Sequence, residues 1–133
     1  MERLAKCPCY ALQVDGYYYA LMMVAIQQSA GRSGSIITFN LIGVLQFRSK
    51  TLPTRAVFES RRWMRLYFGE WGGDQLVFWC HSQKRFEAER LIPIAEVDSQ
   101  PDDPFECPVM CQWPGAMEIL KAVSALPRPD SKG

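Results

Sequence analysis

The chain has 133 residues, 48% of them hydrophobic and 22% charged, with a formal net charge of +1. That length supports one ordinary domain with its own core, and those fractions exclude a disordered chain. A net charge so near zero excludes a molecule that binds nucleic acid by bulk electrostatics.

Residues 1–9 read as an N-terminal arm. Tyr10 to Val14 reads as a strand, and Asp15-Gly16 as a two-residue type I′ hairpin turn, which needs positive φ at both positions. Tyr17 to Gln28 is then the returning strand. A helix capped by Asp15 and stopped by Gly31 competes with it. The turn signal and three successive tyrosines favour the strand. Ser29 to Ser35 is a loop rich in glycine and serine. From Ile36 to Phe47, apolar residues fall at Ile37, Phe39, Leu41, Leu45 and Phe47. That alternation marks a strand with one buried face, and Gly43 suggests a bend or bulge.

Ser49 to Thr54 forms a turn around Pro53. Val57 to Gly69 and Gln75 to Gln83 read as a central hairpin. Arg85 to Val97 alternates weakly, and Pro93 confines any strand there to an edge or bulge. Residues 98–115 are an acidic, proline-rich loop. Residues 116–126 form a helix with an apolar stripe at Ile119, Leu120, Val123 and Leu126, and residues 127–133 are a tail. The whole is a single mainly β domain with its sheet over 10–97. Five or six antiparallel strands form a sheet or small barrel, OB-like or SH3-like, with one C-terminal helix.

Charge is unevenly placed. Residues 1–47 carry three basic and two acidic groups, 48–90 nine and five, and 91–133 three and seven. Any attractive field is therefore a patch in the middle third. The central hairpin concentrates that patch. A three-residue turn at Trp71 to Gly73 sets Arg65 opposite Trp79. It unites Trp63, Arg65, Tyr67, Trp79 and His81 on one face. A two-residue turn at Gly72-Gly73 divides them, because a one-residue slip sends a strand's side chains to the other side.

Such a face suits single-stranded nucleic acid: rings stack on bases and cations follow phosphates. Arg48, Lys50, Arg55, Arg61, Arg62, Lys84 and Arg85 supply its rim. The same residue types anchor protein interfaces. A protein-binding adaptor or inhibitor, for example a mobile-element or phage regulator of a host complex, is thus the alternative. Burial of the aromatic rings as ordinary core is the plain structural reading.

Cys7-Pro8-Cys9 and Cys107 to Cys111 offer four thiols near the two ends of the chain, a weak match to a structural zinc site. No other cofactor is expected. One histidine excludes two-histidine metal motifs. Cys80 and His81 are neighbours on a strand, so they face apart and form no dyad. Ala30 to Ser35 lacks the lysine of a phosphate-binding loop. A non-catalytic protein is expected. The longest apolar run, Tyr17 to Ile26, has ten residues, about half a membrane span. The opening Met-Glu-Arg-Leu lacks a secretion signal. Together these suggest a cytoplasmic protein without a membrane partner.

Overall fold

The computed structural model describes residues 2–67, 74–76, 78–82 and 91–103. The elements are β1 (Glu2–Arg3), β2 (Lys6–Val14), β3 (Tyr17–Ala30), β4 (Ile36–Ser49), α1 (Arg55–Glu59), β5 (Arg65–Tyr67), β6 (Asp74–Leu76), β7 (Phe78–Ser82) and β8 (Ile92–Asp98). The main sheet is antiparallel and runs β7-β4-β3-β2-β8, with β1 also on β3. β5 and β6 form a separate two-stranded ribbon. The mainly β, antiparallel architecture matches the sequence reading. Among the described residues the sheet stays open, because β7 pairs only with β4 and β8 only with β2. The expected helix over 116–126 and its tail lie outside the described residues. No helix among the described residues is long and apolar enough to cross a membrane.

Asp15 has φ 52° and Gly16 φ 84°, the two positive values of a type I′ turn. The turn joins Val14 to Tyr17, so the strand reading of 17–28 prevails over the helix. The expected arm is corrected: Lys6–Cys9 extends β2, and Glu2–Arg3 pairs with Ala25 and Ile26. Pro8 hides the strand signal. It pairs with Glu96, and the pairing of β2 with β3 begins only at Cys9. A position with one neighbouring strand tolerates a missing N–H.

The expected strand from Val57 is also corrected, since residues 55–59 are helical. Thr54 enters with extended backbone angles, and Arg55 is ion-paired with Glu59 one turn later, at 3.0 Å. A single turn is too short to show a period. Arg61 then closes the helix at φ 54°, a left-handed position that L side chains rarely adopt. β8 fulfils the restriction set by Pro93. Among the described residues it is an edge strand of the sheet, and its register with β2 shifts between Cys9 and Tyr10.

One face of the sheet holds Cys7, Cys9, Met22, Val24, Leu41, Leu45 and Val97 against Phe58 of α1. The opposite face is buried as well, at Leu12, Val14, Tyr19, Leu21, Ile42 and Val44. β4 is therefore buried on both sides between Asn40 and Leu45, not on one. Strands flanked on both faces read as continuous apolar runs, which weakens any alternating signal. Gly43 pairs directly with Met22, and register shifts lie on either side of that pair, between Tyr19 and Leu21 and between Met23 and Ala25.

Candidate binding surface

The β5–β6 ribbon pairs Arg65 with Leu76, Leu66 with Gln75 and Tyr67 with Asp74. Trp71 to Gly73, where the turn was expected, lie outside the described residues. Arg65 faces Leu76 in the ladder, not Trp79. The chain then enters the main sheet, where β7 sets Trp79 opposite Ile42 and His81 opposite Asn40. Trp63 lies opposite Leu45 on the same strand.

Directly opposed residues share a face, and successive residues alternate. Leu45 and Ile42 thus belong to different faces. Trp63 is half-buried against the core beneath α1, while positions 79 and 81 lie by register on the Ile42 and Asn40 side. By register, then, position 63 does not share a face of β4 with positions 79 and 81. Arg65 itself is exposed on β5.

The expected cationic rim is also redistributed. Arg61 donates from Nε and Nη2 to the two Asp103 carboxylate oxygens at 3.0 and 2.9 Å, and from Nη2 to the Asp98 carbonyl at 2.6 Å. These bonds make it a structural clamp on the segment after β8. Arg55 is held by Glu59. Arg62 is exposed, and its carbonyl accepts from the Gln46 N–H at 2.6 Å. Lys84 and Arg85 lie outside the described residues.

An aromatic ring and cations meet elsewhere. The Arg48 guanidinium lies 4.7 Å over the Tyr17 ring, and the Lys50 ammonium 6.0 Å from it. Both distances fall within cation–π range. Arg48 pairs with Tyr19 and Ser49 with Tyr18 at the end of the β3–β4 ladder. The Thr51 N–H donates to Ser49 Oγ at 3.1 Å, which shapes the bend that carries Lys50. Tyr17 and Tyr18 are half-buried, and Leu52 beyond the bend is 45% exposed. Sequence reasoning missed this corner for a definite reason. Counting back from the Gly31–Ser35 turn without bulges places Arg48 opposite Tyr18. The register shifts move it to Tyr19, on the face of Tyr17.

Cys7 and Cys9 are buried in the sheet's α1 face. The Cys9 thiol donates to the Cys7 carbonyl at 3.3 Å, and the Cys7 thiol points to the Leu4 carbonyl at 3.9 Å. Burial pushes both thiols up, that of Cys9 to about 12 from an ordinary 9.0. Metal ligation requires thiolates, a form that this burial disfavours. Cys107 and Cys111 lie outside the described residues. Among the described residues no cluster of three or more His, Cys, Asp or Glu could hold a metal ion.

The thiols give the protein an alkaline weakness. Their folded pKa values are raised, so their stabilisation is complete below the unfolded value and is lost as pH climbs towards the folded one. The melting temperature is expected to fall from about pH 9 upwards, as unfolded thiols ionise and folded ones do not. A Cys7→Ala/Cys9→Ala variant should show a flatter decline; an identical decline would place the cause in other groups.

No family model, curated protein or solved structure matches this chain.

Proposed function

We propose that this chain is a non-catalytic binding protein whose partner is another protein, held at the Tyr17–Arg48–Lys50 corner. The supporting observation is the Arg48 guanidinium 4.7 Å over the Tyr17 ring. Tyrosine and arginine are favoured interface anchors. A ring and a guanidinium already held together lose little freedom on docking. Lys50 and Arg62 stand exposed along the same end of β4, and Leu52 adds apolar surface. An apolar centre with a polar rim is common interface anatomy.

Single-stranded nucleic acid is the second reading, favoured by the cations Arg48, Lys50 and Arg62. It is weaker because stacking needs bare ring faces. Arg48 covers one face of Tyr17, Trp63 packs on the core, and Arg61 is bound to Asp103.

The test uses tagged wild type and a Lys50→Glu/Arg62→Glu variant on nuclease-treated lysate. Wild type should retain a defined protein, and reversal of the two charges should weaken that binding by about tenfold or more. Neither should shift a labelled oligonucleotide at low salt. An oligonucleotide bound by wild type and released by the variant would install the second reading. A protein retained equally by both forms would remove the corner from the interface.

A further inference from the structure

We infer that the outer edge of β3 over residues 27–30 is a self-association edge, on which a second copy of this chain lays its own residues 27–30 antiparallel. This goes beyond the protein-binding corner and uses none of its residues. β3 is covered on that side only as far as Ile26. Residues 17–22 pair with β2, the Leu4 N–H donates to the Val24 carbonyl at 3.0 Å, and Ala25 and Ile26 pair with β1. Beyond Ile26 only the inner side is paired, with residues 36–39 of β4. Among the described residues nothing pairs with the outer side of 27–30, and Gln27, Gln28 and Ala30 are exposed.

An open strand edge presents unpaired N–H and C=O groups, and their natural complement is another strand. Natural sheets blunt such edges with charge, proline, bulges or extreme shortness. This edge has no such charge or kink. Arg32, in the turn, is the only charged residue between Asp15 and Arg48, and the interval contains no proline. The last register shift in β3 precedes Ala25, so the backbone beyond is regular. Beside it on β4, Ile36 and Ile37 are 70% and 41% exposed.

Charge and symmetry together select a second copy. Antiparallel pairing about a two-fold axis is self-complementary for any strand. Here it brings no like charges face to face, and it sends the two Arg32 side chains to opposite ends of the joint. Gln27 of one copy would lie opposite Ala30 of the other, and Gln28 opposite Ser29. Glu2 on β1 occupies the next position inward, opposite Ile26, just where the incoming chain turns away at Gly31. The joint is thus limited to four residues per copy, and the dimer is concentration-dependent.

Sedimentation velocity from about 10 µM to about 1 mM spans the range of weak specific association. Wild type should pass from monomer to dimer. A Gln28→Lys/Ala30→Lys variant, which places charge on the exposed edge, should remain monomeric with an unchanged circular dichroism spectrum. Amide exchange of wild type at 27–30 should slow as concentration rises, a readout that does not depend on the variant folding. A wild type that stays monomeric, an undiminished dimer of the variant, or exchange independent of concentration would each overturn the inference.

Discussion

Asp103→Ala is expected to lower the free energy of unfolding by about 3–5 kcal/mol, the usual effect of removing one partner of a buried ion pair. The Asp103 side chain is 1% exposed and that of Arg61 16%, so the lower end of the range applies. The carboxylate also accepts the Gln100 N–H at 2.8 Å. Its loss therefore strips three donors at once, two of Arg61 and one of Gln100, and loosens the turn that follows β8. The companion substitutions sharpen the test. Arg61→Ala breaks the same pair but keeps a Cβ at a positive φ, where an L residue carries about 1–2 kcal/mol of strain. Arg61→Gly breaks the pair and relieves the strain. It should be less damaging than Arg61→Ala by about 1 kcal/mol. Urea unfolding of the three variants reads both effects. Equal losses for Gly and Ala would show that the helix end holds no strain, and a loss for Asp103→Ala below about 1 kcal/mol would reduce the pair to a surface contact.

Phe58→Ala should destabilise by about 3–5 kcal/mol. Phe58 is fully buried and is the one buried residue of α1. A helix of five residues has no stability of its own in water, so α1 exists because Phe58 docks it on Leu41, Leu45 and Val97. Phe58→Leu retains most of that volume and should lose less than about 1.5 kcal/mol. Thermal unfolding distinguishes the two. A Phe58→Ala protein melting with wild type would mean that α1 contributes nothing to the core.

The parts of the fold written in turn chemistry were legible in the sequence. Asp15-Gly16 specified its hairpin, the Ser29–Ser35 loop specified the next although Ser29 and Ala30 still belong to β3, and Pro93 specified an edge or bulge. The parts that escaped depend on partners distant in the chain. Nothing local distinguishes Cys7-Pro8-Cys9 as strand until Val97 and Ala95 stand beside it. Nothing local turns residues 55–59 into a helix except a core to receive Phe58. The proposed aromatic face rested on pairing Arg65 with Trp79, and Arg65 pairs with Leu76 instead. The Tyr17–Arg48 contact rested on register shifts in the β3–β4 ladder, which side-chain alternation cannot reveal. Register is a cooperative property of the sheet, and here it decides which surface exists.

The pairing of β2 has a consequence in time. On one side it meets β3 across a two-residue turn; on the other it meets β8, with Lys6 and Asp98 separated by 92 positions. The first partner is reached by a short loop closure and the second only by a long one. The β2–β3–β4 meander can therefore assemble while β8 is still being synthesised. On that order β8 is added to a surface already in place, and the Arg61–Asp103 pair, 42 positions apart in sequence, forms with it.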